Sequence, residues 1–129
     1  MGSQIASYSH VAICVSDVER AREFYEGVLQ LPELERPSFD FPGAWYQVGG
    51  LMLHLMQREQ PSPPQEGIGP HFALYVPTAE FEATVETLRS RGAEMVMEPS
   101  RREDTGVWAA FCQDPDGNLI ELTDLAPVS

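Results

Sequence analysis

The chain carries three histidines, His10, His54 and His71, and each sits in or just ahead of an apolar run. Ser9-His10-Val11-Ala12-Ile13-Cys14-Val15 and Pro70-His71-Phe72-Ala73-Leu74-Tyr75-Val76 both set a histidine before a strand-like stretch, at an offset of 71 − 10 = 61. Gly49-Gly50-Leu51-Met52-Leu53-His54-Leu55 is matched by Asp116-Gly117-Asn118-Leu119-Ile120-Glu121-Leu122, a glycine turn feeding a strand with one polar residue, at an offset of 121 − 54 = 67. Three imidazoles and a carboxylate drawn to one point are metal-ligand chemistry. Neutral imidazole suits Ni, Zn, Co, Mn or Fe, and a carboxylate adds charge compensation. Taken singly, each residue reads as a hydrogen-bonded polar group in a half-buried strand. Four at repeat-equivalent places are costly to bury without a shared partner.

The elements that must position them also repeat. Each histidine strand precedes an amphipathic helical pattern, Val18, Ala21, Tyr25 and Val28 in the first half and Phe81, Val85 and Leu88 in the second. Ser16 or Asp17, and then Thr78, are the expected N-caps, and Gly92 is the expected C′ residue. The expected elements of the first half are a strand at 7–15, a helix at 17–29 and strands at 33–38, 44–48 and 51–57. In the second they are a strand at 70–76, a helix at 79–91 and strands at 94–98, 107–113 and 118–123. The fold class is therefore α+β, with two tandem βαβββ modules, 7–57 and 70–124, in one domain spanning 1–129. Residues 58–69, with Pro61, Pro63, Pro64, Gly67 and Gly69, read as the linker.

Alternation along strands assigns faces. Val11, Ile13 and Val15 point toward the helix, and so do Phe72, Leu74, Val76, Leu53, Leu55, Ile120 and Leu122. His10, His54, His71 and Glu121 all point the other way, so two sheets curling toward each other would let the four converge. Tyr75 shares the His71 face and could donate a hydrogen bond to a bound oxyanion. Asp114-Pro115-Asp116-Gly117 reads as a turn without a catalytic part.

Charge narrows the partners. Eight Lys plus Arg against 20 Asp plus Glu leave a formal charge of −12, a field that repels nucleic-acid backbones and anionic membranes. No apolar run approaches the roughly 18 residues of a membrane span, and no basic residue precedes Arg20 to suggest a secretory leader. Two cysteines without CxxC spacing, Cys14 and Cys112, point to reduced thiols and a cytoplasmic protein.

From Ser9-His10-Val11-Ala12 through Phe24-Tyr25 to Asp114-Pro115-Asp116-Gly117-Asn118-Leu119-Ile120-Glu121-Leu122, the chain resembles the vicinal oxygen chelate superfamily. That group includes glyoxalase I, fosfomycin-resistance proteins, methylmalonyl-CoA epimerase, extradiol dioxygenases and bleomycin-resistance proteins. The resemblance implies curved mixed sheets forming a half-open barrel around a metal cavity. It implies His10, His71 and Glu121 at the three commonest ligand places and His54 at the fourth. It also places Arg36 and Trp45 near the cavity, as a cation for a substrate carboxylate and an aromatic wall. Three family features are missing here. The glutathione-binding Arg of glyoxalase I corresponds to about Gly27, the additional His of extradiol dioxygenases is absent from Thr105 to Phe111, and Thr123 to Ser129 lacks the basic residue of fosfomycin-resistance proteins.

The expected function is a divalent-metal-dependent, glyoxalase-like isomerase or lyase on a small polar carbonyl or enolisable substrate. Glu121, or a coordinated water, would move the proton. The alternatives are an Fe(II) extradiol-type dioxygenase using His10, His71 and Glu121 with His54 as a base, and a non-catalytic drug- or metabolite-binding protein. A homodimer is expected, because paired modules need a partner to close their edges. The modules can pair within one chain or swap between chains; in a swap each site would draw His10 and His54 from one chain and His71 and Glu121 from the other.

Overall fold

The computed structural model describes residues 4–59 and 68–128, so residues 60–67 of the expected linker lie outside the described residues. The first module runs β1 (His10–Val15), α1 (Val18–Arg22) with a π-helical continuation over Glu23–Val28, β2 (Glu33–Leu34), β3 (Gly43–Val48) and β4 (Leu51–Gln57). The second runs β5 (Phe72–Tyr75), a 3-10 turn at Thr78–Glu80, α2 (Phe81–Ser90), β6 (Glu94–Arg101), β7 (Trp108–Gln113) and β8 (Leu119–Thr123). The sheet orders are β1-β4-β3-β2 and β5-β8-β7-β6. These are two βαβββ units in tandem, with mixed four-stranded sheets that do not close into a barrel.

Local chemistry explains most boundaries. Asp17 is the cap of α1, its carboxylate accepting from the Glu19 and Arg20 backbone N–H groups. Thr78 does not cap α2: its hydroxyl donates to Asp124, and the chain enters the helix through the 3-10 turn instead. Gly92, at φ +99°, ends α2 in the left-handed conformation that a side chain resists. The strand expected at 33–38 shrinks to two residues, because Pro37 lacks an N–H for a ladder. β6 runs beyond its expected end to Arg101, tolerating Pro99 through irregular register between Met97 and Ser100.

The helix-facing sides of the strands make the core. Val15, Ala21, Tyr25, Tyr46, Leu53 and Leu55 are fully or almost fully buried, and Cys112 and Ile120 of the second module join the same cluster. Burying each aliphatic side chain of this size contributes about 1.5–3 kcal/mol. The modules are therefore fused through their helix-side surfaces.

A polar latch completes that junction. Asp114, only 3% exposed, accepts from Tyr25 Oη at 2.7 Å, from the Asp116 and Asn118 backbone N–H groups and from Asn118 Nδ2. Asn118 Nδ2 also donates to the Cys14 carbonyl at 2.9 Å, and Arg20 pairs with Asp116 at 3.1 Å. The Asp114–Asn118 turn thus ties β1 and α1 to β7 and β8. Burial beside the Asp114 carboxylate raises the Tyr25 phenol well above its ordinary value, so it remains a donor. Tyr25→Phe should lower the unfolding free energy by about 1.5–3 kcal/mol, the worth of a hydrogen bond to a charged group, in urea denaturation monitored by circular dichroism.

Candidate metal centre

Parallel register sets His10 and His54 side by side. Ala12 of β1 faces His54 of β4, and His10 lies two residues earlier on the same face. Their rings stack with centroids 4.0 Å apart and planes at 15°. On the other side of His54 the antiparallel ladder sets Trp45 directly opposite, its indole stacked at 4.1 Å and 2°. His54 is thus sandwiched between an imidazole and an indole, and Trp45 fixes the plane of its ring.

The second module repeats this plan. Ala73 faces Glu121 across the β5–β8 pair, His71 lies two residues before Ala73, and Phe111 stands opposite Glu121. The Phe111 ring meets His71 edge to face at 5.2 Å. His10, His54 and Trp45 in one module correspond to His71, Glu121 and Phe111 in the other. Phe111 had a signal in the sequence: it precedes Glu121 by ten residues where Trp45 precedes His54 by nine.

Hydrogen bonds fix which nitrogens are free. His71 Nδ1–H donates to the Gly69 carbonyl at 2.8 Å, which turns Nε2 toward Glu121 Oε1 at 2.9 Å. Ser9 Oγ shares a hydrogen bond with His10 Nδ1 at 3.0 Å. His54 is buried, 9% exposed, and its Nε2 meets no hydrogen-bond partner. Burial, then the nearby His10 and Arg36, push its pKa below the ordinary histidine value, so the ring is neutral with a lone pair to give. Burial pushes the Cys112 thiol up to about 11, which keeps it from being a thiolate ligand.

The donor chemistry therefore fits a divalent cation, but one chain brings the donors together two by two. Among the described residues, no group of three or more His, Cys, Asp or Glu stands close enough to hold a metal ion. Helix-side core residues and the Asp114–Asn118 turn join the modules. His71 and Asn118 border a cavity of about 280 Å³ that Ala12 and Cys14 of β1 also line.

Of the other expected site residues, Arg36 lies on the first donor face. A Cβ on Gly43, which shares its face with Trp45, would come within 2.9 Å of Arg36 Nη2. Tyr75 is 45% exposed and four residues along β5 from His71, about 13 Å at strand rise, so it does not join the His71–Glu121 pair.

A family model described as the Glyoxalase/Bleomycin resistance protein/Dioxygenase superfamily matches residues 7–122. Glyoxylase I 4 of Arabidopsis thaliana is 30% identical over 122 residues, covering 92% of this chain and 70% of that protein. Lactoylglutathione lyase GLX1 of the same plant is 30% identical over 129 residues, covering 93% of this chain but 44% of that protein, so this chain spans less than half of its length. Metallothiol transferase FosB of Staphylococcus saprophyticus is 28% identical over 121 residues, covering 92% and 76%. The fold is shared with the crystal structure of the fosfomycin resistance protein FosX of Listeria monocytogenes, at a TM-score of 0.77, 21% identity and 93% coverage of both chains.

A neutral buried His54 carries a pH signature. The unfolded chain binds a proton at this residue near the ordinary value of about 6.5 and the folded one only at lower pH. The stability it contributes is full above that value and falls as pH drops through the window below it. The His54 ring resonances should titrate below those of a model histidine peptide in metal-free protein, as measured by NMR. His54→Phe should flatten the fall in melting temperature between neutral and mildly acidic pH.

Proposed function

This chain belongs to the glyoxalase/bleomycin resistance protein/dioxygenase superfamily, and on that premise we propose a divalent-metal-dependent enzyme of the glyoxalase type. Its substrate is a small polar molecule with a carbonyl or enolisable centre. The observation that carries this reading is the buried Nε2 of a neutral His54, unpartnered beside His10 and matched in register by His71 and Glu121. A lone buried ring nitrogen is costly in a metal-free cleft; as a fourth donor it gains a partner, which as the separate base of a three-donor iron site it does not. That favours the four-donor enzyme over the dioxygenase and over a passive binding protein.

The donors are His10, His54, His71 and Glu121, a set that accepts Ni, Zn, Co, Mn or Fe. A bound divalent ion supplies Lewis-acid polarisation of a substrate oxygen. Trp45 fixes the plane of the His54 ring, and the Gly69 carbonyl fixes the His71 tautomer, so neither donor spends freedom on binding. Glu121 is the group we assign to proton movement. Its carboxylate takes a proton from the carbon beside a substrate carbonyl and returns it at the neighbouring atom, a role typically worth about 10²–10⁴ in rate. The relatives named lyase and metallothiol transferase support metal-dependent chemistry on a small molecule.

Since one chain presents its donors as two separate pairs, we place the complete centre in a homodimer, His10 and His54 from one chain meeting His71 and Glu121 from the other. Free thiols at Cys14 and Cys112 suit a cytoplasmic setting. No described helix is long and apolar enough to cross a membrane.

Elemental analysis of protein purified without chelators or an affinity tag should give about one divalent ion per chain, lost in His54→Ala. Iron retained in that variant would move the dioxygenase ahead, and metal in neither protein would leave a binding protein. The His10→Ala/His54→Ala and His71→Ala/Glu121→Ala double variants should each be metal-free. Mixed under subunit exchange they should regain metal, because one site of each mixed dimer is intact. No recovery would place the centre within one chain.

A further inference from the structure

The connection between β2 and β3 folds Arg36 back over the first donor face and holds it there by aromatic contacts. Its guanidinium carbon lies 4.7 Å from the centre of the Phe39 ring and 5.1 Å from that of Phe41, and Nη2 donates to the Phe41 carbonyl at 2.9 Å. Phe39 and Phe41 stack on each other at 5.5 Å, and Phe39 leans against Trp45 at 6.2 Å. The chain of contacts therefore runs Arg36, Phe39, Trp45, His54. Gly43 makes room for it: a Cβ there would strike the Leu55 carbonyl oxygen and crowd the guanidinium.

Two features of this cation are unexpected in a chain with 20 acidic residues. Arg20, Arg22, Arg89 and Arg102 make ion pairs, whereas Arg36, like the more exposed Arg58, Arg91 and Arg101, makes none among the described residues. The neighbouring Glu33 is taken by Arg22 at 2.7 Å, and Asp40 of the same connection pairs with neither Arg36 nor Arg58. Second, Arg36 Nε is buried without a hydrogen-bond partner, and with His54 Nε2 it forms the whole set of such side-chain atoms among the described residues. An unsatisfied buried donor on a permanently charged group is costly and does nothing for the fold that a neutral side chain would not do better. A second cation, Arg58, stands over the Phe41 ring at 4.4 Å and adds to the positive field. Aromatic packing of this kind fixes the plane of a guanidinium, and with Nε closed off its Nη1 and Nη2 end is the planar fork left to meet a carboxylate.

We propose that Arg36 is the specificity-determining residue of the site, so that the substrate is a carbonyl compound bearing its own carboxylate, a 2-oxo acid with a flat apolar body. The carboxylate pairs with Arg36, the apolar body lies along Phe39 and Trp45, and the carbonyl is thereby directed toward His54. The chemistry after binding rests on the metal-dependent reading, but recognition of the carboxylate does not require the metal. A neutral dicarbonyl would leave the Arg36 cation without a counter-charge.

The test is calorimetric titration of the full chain, metal-loaded and after EDTA treatment, with phenylglyoxylate and with its uncharged methyl ester. Phenylglyoxylate should bind at least about tenfold more tightly than the ester, the scale expected of a charge-assisted carboxylate fork. Arg36→Gln should abolish the preference in both states, and Arg36→Lys should restore part of it, since the charge returns without the fork. Melting temperatures identify any loss of folding, and the lysine variant carries the comparison if glutamine is not tolerated. Equal affinities, no saturable binding of phenylglyoxylate, or a preference that survives Arg36→Gln would overturn the proposal. A preference that depends on Arg36 in a protein that takes up no divalent ion would sink the metal-dependent reading alone. Metal held by the four donors with no such preference would sink this one alone.

Discussion

Pairing β1 in parallel with β4 places residues i on one strand beside neighbours offset along the other, so His10 reaches diagonally to His54 across Ala12. The same pairing of β5 with β8 brings His71 to Glu121 across Ala73. Everything chemical in this molecule depends on that register. A slip by one residue would turn every donor into the helix-side core and bring Val11 and Leu53 out to face water. The burial of Val15, Leu53 and Leu55 on one side therefore keeps His10 and His54 on the other.

The two modules are bound to each other by a different set of forces. Apolar packing of α1 against residues from both sheets supplies the driving force, and Asp114 supplies the direction. A carboxylate that collects the Tyr25 hydroxyl, two backbone N–H groups and the Asn118 amide is fully satisfied in a buried place, so it fixes geometry without leaving a charge uncompensated. The latch lies at the turn and not on the His10/His54 or His71/Glu121 pairs. The exposure of Tyr75 and Val96 on the second sheet follows from the same division of labour.

Among the described residues, two buried side-chain nitrogens break the rule that interior polar groups find partners, and both lie on the face of the first module that carries His10 and His54. His54 Nε2 is held between Trp45 and His10, and Arg36 Nε is held among Phe39, Phe41 and Gly43. Aromatic rings pack around each without satisfying it. Local structure that is costly to the fold is characteristic of sites that bind something. One is an imidazole nitrogen and the other belongs to a cation, and the proposed metal ion and substrate carboxylate rest on these two groups.

The sequence by itself determined the repeated βαβββ order, the helix-side and open faces of the strands, and the two donor pairs, because side-chain alternation and glycine turns are local properties. It also exposed Asp17 and Gly92 as helix ends. It could not determine the interrupted second strand beyond the hint of Pro37, nor that Thr78 spends its hydroxyl on Asp124 across the module. The latch at Asp114, which reads in sequence as a plain turn, and the arm that carries Arg36 onto Trp45 exist only because residues far apart in the chain become neighbours. Above all, tertiary packing decided that the donors of one chain stay two and two. Which surfaces of the modules meet is set by the sum of many apolar contacts over α1 and both sheets, and no spacing along the chain encodes that sum.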